Sequence, residues 1–238
     1  MSRPTVKPVS GYDGFAPIYD DFAAGMTEDV AFYVELAAEA DGPIVELAVG
    51  TGRVAIPIAA ETGKRLIGID VSAAMLDVAR RKAAVAGVDV DLRQGDMSDF
   101  TLDEPTDLVI CPFRAMLHLA DHGARVTVMQ RVEHALVPGG RFAWNAFVFD
   151  AAIAAEIDGV WREENGVRNR STYDFDARRI DLTIEGGATV PLWWVDRDEW
   201  ERAIAEAGLE VEALYGWFDR RPFDETSREL VYVARRPL

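Results

Sequence analysis

Hydrophobic and polar positions change rhythm twice along this 238-residue chain. Between Gly42 and Phe149, short apolar runs alternate with longer stretches whose apolar residues recur every three or four positions. The runs are "IVELA", "RLIGID", "VDVDLRQ", "DLVIC" and "RFAWNAFVF". The stretches between them include "GRVAIPIAAETG", "AAMLDVARRKAAVAG" and "RVTVMQRVEHALV". The first pattern predicts buried strands and the second amphipathic helices. Ser72 is placed to cap one helix, Gly63 and Gly87 to close two of them, and "PGG" to stop the third. Strand and helix in strict alternation predict βαβ units and a parallel sheet. Right-handed crossovers then bring the loops after strands one, two and three to one edge, where ligands bind at the switch point.

Upstream, residues 1–10 read as a loose tail, and "YDGFAPIYDDFAAGM" as an aromatic-rich lead-in to a helix near Thr27–Ala40. Thr27 is expected to cap that helix, with Glu28 and Asp29 in its first turn. After Phe149 the period shortens to two. "VWREENGVRNRSTYDFDARRIDLTIEGGATVPLWWV", with glycine turns at 166 and 186–187, predicts two or three antiparallel strands. A helix over Asp196–Ala207, stopped by Gly208, leads to two last strands, "LEVEALYGWF" and "ELVYVARR". The expected organisation is an N-terminal helical cap (1–40), an α/β core (41–149), an inserted antiparallel lid over the substrate (150–195), and a last helix and two strands (196–238) that complete the core.

Composition narrows the partners. Forty-one acidic against twenty-five basic residues give a formal charge of −16, whereas a nucleic-acid partner demands a basic face. Arg80-Arg81-Lys82 and Arg220-Arg221 are too small to supply one. Cys111 is the only cysteine, so no intrachain disulfide forms and a reducing, cytoplasmic setting is expected. No apolar run approaches the roughly 18 residues of a membrane span, and no leader pattern opens the chain. His118 and His122 have the spacing of a zinc helix, but Leu119 stands where that motif needs glutamate, so no metal is expected.

Candidate chemistry centres on "VELAVGTGR", Val45 to Arg53. Gly50, Gly52 and Ala55 fit a dinucleotide fingerprint, and fit equally a loop that carries a sulfonium nucleoside. Asp70, twenty residues after Gly50 at the end of strand two, can accept two ribose hydroxyls in either case. Glu46, and Asp96 in "QGDM", separate the two. A carboxylate beside the first loop repels a pyrophosphate but suits a ligand carrying a sulfonium and an ammonium.

The elements "VELAVGTGR", "GIDVSAAML", "QGDM", "DLVICPFRAMLHL" and "LVPGGRFAWNAF" resemble, in order and spacing, those of class I S-adenosylmethionine (SAM)-dependent methyltransferases of the small-molecule type. The resemblance is strong over residues 40–148 and weaker over the closing strands. It implies a Rossmann-like, seven-stranded, mostly parallel sheet with an antiparallel final strand, to which the period-two segment adds a small antiparallel lid after strand five. It implies that Glu46, Ala48, Gly50, Gly52 and Arg53 border the methionine portion of SAM. Asp70 would hold the ribose, Val71 and Met75 would lie beside the adenine, and Asp96 and Met97 would bind it. Cys111, Pro112 and Phe113 would flank the sulfonium, and Tyr19 would close over the cofactor. Ala48 departs from the family, which carries glycine there, so a shifted contact is expected.

Methyl transfer is an in-line displacement in which the protein mainly aligns the nucleophile and excludes water. His118 is the candidate general base, against a packing or capping role. Arg114 is the candidate for orienting an acidic substrate group. The aromatic residues around strand five and the lid, with Phe113, Trp144, Phe147, Trp193 and Trp194 as candidate contacts, suit a planar aromatic or heteroaromatic acceptor of N- or O-methylation. Because successive strand residues face opposite ways, at most one of Trp193 and Trp194 lines the pocket directly. The partner is a small molecule, and the protein a monomer or homodimer. A non-catalytic SAM-binding protein and an NAD(P)-dependent oxidoreductase are the alternatives.

Overall fold

The computed structural model describes residues 11–186 and 189–238. The N-terminal tail and the expected turn at Gly187 lie outside the described residues. Two short helices, α1 (Tyr19–Ala23) and α2 (Glu28–Glu39), lead into the alternating core. Its elements are β1 (Ile44–Leu47), α3 (Ala55–Thr62), β2 (Leu66–Asp70), α4 (Ala73–Ala86), β3 (Asp91–Gln94) and β4 (Thr106–Cys111). A 3-10 turn (Ala115–His118), α5 (His122–Ala135) and β5 (Leu136–Phe147) follow. After α6 (Ala151–Ile157), strands β6 (Trp161–Glu164), β7 (Val167–Asp174), β8 (Arg179–Ile184) and β9 (Thr189–Trp193) make the insertion. The chain returns through α7 (Arg197–Glu206), β10 (Glu210–Tyr215) and β11 (Glu229–Arg235).

The main sheet runs β10-β11-β5-β4-β1-β2-β3, with β11 antiparallel to both its neighbours and the other strands parallel. The strand order reverses between β1 and β4, which places the switch point there. The insertion is a separate antiparallel sheet, β6-β7-β8-β9, with four strands where the period-two pattern suggested two or three.

Local signals account for most helix ends. Ser72 Oγ accepts from the Met75 amide at 3.1 Å to cap α4, and Gly63 and Gly87 end their helices at φ +65° and +69°. Asp121 caps α5 through the Ala124 amide, which starts that helix three residues before the apolar pattern does. Thr27 makes no side-chain cap; the Glu28 carboxylate instead accepts from the Thr27 amide at 3.3 Å.

One face of the main sheet packs on α5 and α7, the other on α2, α3 and α4. Trp144 belongs to the first layer. It is fully buried, 4.6 Å from the Phe142 ring and 4.9 Å from Tyr232, both stacked. This corrects its expected place at the substrate: inward alternation along β5 aims it at α7 instead. Trp194 is 5% exposed and stacks on Phe149 with ring centroids 4.0 Å apart. β9 ends at Trp193, so the strand alternation does not carry through to Trp194. Among the described residues, neither tryptophan lines either of the two cavities described below, a second correction to the substrate contacts expected of Trp193 and Trp194. A third, smaller cluster joins Phe15 and Ala16 of the N-terminal segment to Met75 of α4 and to Val167 and Ile184 of the inserted sheet.

Candidate active site

The loop after β1 turns through three left-handed residues, Ala48 (φ +53°), Gly50 (φ +55°) and Gly52 (φ +76°). At Gly50 there is room for a side chain, so the glycine serves the backbone angle. At Gly52 a Cβ would sit 2.9 Å from Ile56 Cδ1, so this glycine also lets the loop pack on its own helix. It does not line the cavity, and its expected cofactor contact becomes a shaping role behind the loop. The turn aims the Gly50 amide at Asp70 Oδ2 (2.8 Å), while Ser72 N–H donates to Asp70 Oδ1 (2.8 Å). Asp70 thus sits at the tip of β2 with both oxygens oriented. Burial raises its pKa against the lowering effect of these amides.

A cavity of about 470 Å³ opens at the switch point. Glu46, Ala48, Gly50, Arg53, Asp70, Val71, Met75, Asp96, Met97, Pro112, Phe113, Tyr19 and His118 all line it. The structure therefore brings together sequence positions from 19 to 118. Cys111 does not reach it. Its side chain is fully buried in the layer facing α5, and burial pushes its thiol pKa up, so the expected place beside the sulfonium is corrected to a core position.

Glu46 is 2% exposed, its Oε2 has no hydrogen-bond partner among the described residues, and burial raises its pKa well above the carboxylate range. Arg53 is tied to buried Asp29 by two bonds, 2.8 and 2.5 Å, and its guanidinium lies 4.6 Å over the Phe113 ring. Removing one partner of such a buried pair costs about 3–5 kcal/mol. Val71 is 48% exposed on the cavity rim, an apolar side chain left open beside Asp70. Asp96 Oδ1 accepts from the amide and hydroxyl of Ser98.

Three segments close the far wall. Tyr12 and Tyr19 come from the N-terminal segment, His118 and Leu119 from the 3-10 turn, and Thr189, Val190 and Pro191 from β9. His118 joins all three. A carbonyl only accepts, so Nδ1 donates to Pro191 O (2.8 Å), which leaves Nε2 to accept from the Tyr12 hydroxyl (2.8 Å). Burial lowers the His118 pKa, and the imidazole is neutral with both nitrogens engaged. Tyr12 and Pro191 carry no motif. Their only sequence signal is the aromatic lead-in and the register of a strand whose partners lie far along the chain.

A second cavity, about 390 Å³, lies between the inserted sheet and the core. Phe147, Phe149, Phe22, Tyr173 and Leu192 contribute to it, with Arg114 at its edge. Arg114 is held by buried Glu229 through two bonds, 3.1 and 2.8 Å, and its guanidinium lies 5.4 Å from the Phe147 ring. Its charge is already answered. Phe113 and Arg114 both adopt left-handed backbone angles (φ +56° and +63°), strain stored where the two cavities adjoin.

Among the described residues, no His, Cys, Asp and Glu side chains group to hold a metal, and no helix is long and apolar enough to cross a membrane.

A strand order reversing at β1/β4, a glycine loop and a strand-end aspartate define an α/β protein that binds a nucleoside cofactor at its switch point. Residues 44–140 match the family model described as a methyltransferase domain. The carboxy-S-adenosyl-L-methionine synthase of Wolinella succinogenes is 31% identical, over 87% of this chain and 89% of its own. The cypemycin N-terminal methyltransferase of a Streptomyces species is 26% identical, over 99% of this chain and 100% of its own. The solved structure of the CcbJ methyltransferase from Streptomyces caelestis superposes with a TM-score of 0.82 at 27% identity, covering 97% of this chain and 99% of that one. The chain belongs to the class I SAM-dependent methyltransferases, and SAM is its cofactor.

Proposed function

We propose that the protein methylates an amine nitrogen of a small acceptor that enters beneath the inserted sheet. The observation that carries the choice of nitrogen is the engagement of His118. An alcohol, or a phenol that arrives protonated, must lose its proton to a base as the new bond forms, whereas an amine that has shed its ammonium proton to solvent attacks through its lone pair with no base at the site. His118, the imidazole at the cavity, has no free nitrogen to act as that base. Burial raises the hydroxyl pKa of Tyr12 and Tyr19, so neither is a phenolate at neutral pH. The full-length relative from Streptomyces is named for N-terminal methylation, which agrees with nitrogen as acceptor.

The residues present suit SAM. The unpartnered Glu46 oxygen suits the ammonium of its methionine portion, and Asp70 the ribose hydroxyls. Val71, Met75 and Met97 would bracket the adenine, whose amino group would donate to Asp96. Arg53 stands at the methionine end with Tyr19, Pro112 and Phe113, which exclude water. When bound, SAM supplies an activated methyl group: the N–CH3 bond forms as the S–CH3 bond breaks, and no oxidant is needed. The protein's share is alignment at near-attack distance and desolvation, which together supply several kcal/mol. Phe22, Phe147, Phe149 and Tyr173 give the second cavity an aromatic lining that suits a planar acceptor.

The test is a matched panel of amines, phenols and alcohols assayed by release of S-adenosylhomocysteine, with Asp70→Ala as the cofactor control. Turnover is expected with amines. Asp70→Ala is expected to weaken SAM by about 1.5–3 kcal/mol, roughly 10- to 150-fold. Turnover of phenols in preference to amines overturns the nitrogen assignment, and SAM binding without turnover of any class makes the protein a binder.

A further inference from the structure

The cavity-facing side of the inserted sheet holds two buried N–H groups, Arg162 Nε and Asn169 Nδ2, with no hydrogen-bond partner among the described residues. Arg162 on β6 pairs in register with Asn169 on β7, so the two side chains stand together on one face. Asn169 is 1% exposed, yet its Nδ2 has no hydrogen-bond partner among the described residues. Arg162 Nε is likewise buried and unpartnered, and its ion pair, to Glu164 Oε1, is long at 3.8 Å. Leaving such a donor unmade costs about 1–3 kcal/mol, more when charged.

The other arginines at this cavity are committed. Arg114 is clamped by Glu229, and Arg228 pairs with Asp150 at 3.2 Å. Along the sheet the same face becomes apolar through Ile180, Leu182 and Leu192. It therefore offers one charged and one neutral donor at one edge and an apolar floor toward the cofactor cavity.

We propose that Arg162 and Asn169 form an oxyanion subsite that holds a carboxylate or phosphoryl group of the acceptor. The planar guanidinium offers two parallel donors to such a group, and the Asn169 amide adds a third. The assignment moves the acid-orienting role expected of Arg114 to the opposite wall. It rests on the second cavity being the acceptor site, but its test needs no methyl transfer.

The full chain, saturated with S-adenosylhomocysteine and labelled with nitrogen-15, is titrated with benzoate and with phenyl phosphate. The Asn169 side-chain amide and Arg162 Nε resonances are followed by NMR. Saturable shifts at both positions are expected in the wild type. In Asn169→Leu, read at Arg162 Nε, and in Arg162→Met, read at the Asn169 side-chain amide, anion affinity is expected to fall at least tenfold, with SAM affinity within twofold of wild type. The anion that binds more tightly identifies carboxylate or phosphoryl as the source. Should Asn169→Leu fail to fold, Arg162→Met, whose side chain is 38% exposed, carries the comparison. Resonances that neither anion moves, that neutral benzamide moves equally, or that both variants leave unaffected overturn the subsite. Calorimetry of SAM on the cofactor-free chain and its variants reports separately on the methyltransferase reading.

Discussion

Ala48 holds a backbone angle that costs an L-residue about 1–2 kcal/mol. Glycine removes that strain but widens the unfolded ensemble, which offsets about 0.4–1 kcal/mol. Ala48→Gly is therefore expected to stabilise by up to about 1 kcal/mol and raise Tm by about 2–4 °C, measured by calorimetry. Glu46 sets a cost of the opposite kind. Its raised pKa means that the folded state binds a proton the unfolded chain releases. The stability this contributes is full below the ordinary carboxyl pKa and is lost as pH rises through the folded value. Glu46→Gln is expected to raise the Tm of the cofactor-free protein at pH 8 more than at pH 5. A cationic ligand favours the charged carboxylate, so SAM affinity of the wild type should climb with pH. Titration calorimetry of Glu46→Gln should show weaker, pH-independent binding; equal affinity at all pH values removes Glu46 from the methionine end.

Elements meet at the site through hydrogen bonds between segments distant in sequence. Tyr12, His118 and Pro191 connect the N-terminal segment, the 3-10 turn and β9, and each bond contributes about 1 kcal/mol. The lowered pKa of His118 gives a sign opposite to that of Glu46. Between the folded pKa and the ordinary value near 6.5 the unfolded chain binds the extra proton, so this stability is present above about pH 6.5 and lost as pH falls. The Tm difference between wild type and His118→Gln should therefore shrink from pH 7.5 to pH 5. The pH profile of kcat/KM should survive in His118→Gln. Loss of an acid limb in that variant would instead make His118 the base.

Across the whole molecule, the cofactor cavity is roofed by pieces that contribute little to the central sheet. Phe15 and Ala16 pack on Met75, Val167 and Ile184, so the N-terminal segment is wedged between α4 and the inserted sheet. Asp20 accepts from the Thr51 hydroxyl at 2.6 Å and pairs with Lys82 at 2.7 Å, tying α1 to the glycine loop. Such peripheral contacts open at lower free energy than the core strands. SAM is expected to slow amide exchange over residues 11–23 and 189–191 while β10 and β11 stay unchanged. Hydrogen-exchange mass spectrometry with and without SAM measures this. Protection confined to the loops after β1, β2 and β3 would show that the roof is closed without cofactor.

The parallel core and the cavity floor were legible in the chain because each rests on short-range signals. Buried strands need continuous apolar runs, helix ends need caps and glycines, and a loop that approaches a ligand needs residues tolerant of left-handed angles. Glu46, Gly50, Asp70, Asp96 and Met97 follow from those rules together with the family likeness. What only the tertiary structure decided lies across long separations. Strand alternation put Trp144 on one face of β5, but only the packing of α7 and β11 showed that face to be core. The register of β9 placed Pro191 against one cavity and Leu192 against the other, and Trp193 and Trp194 line neither. His118 has both nitrogens engaged because Tyr12 and Pro191, 106 residues before and 73 after it, fold onto the same turn. Periodicity reports which side of an element is buried. What it is buried against depends on contacts whose partners the local pattern does not contain.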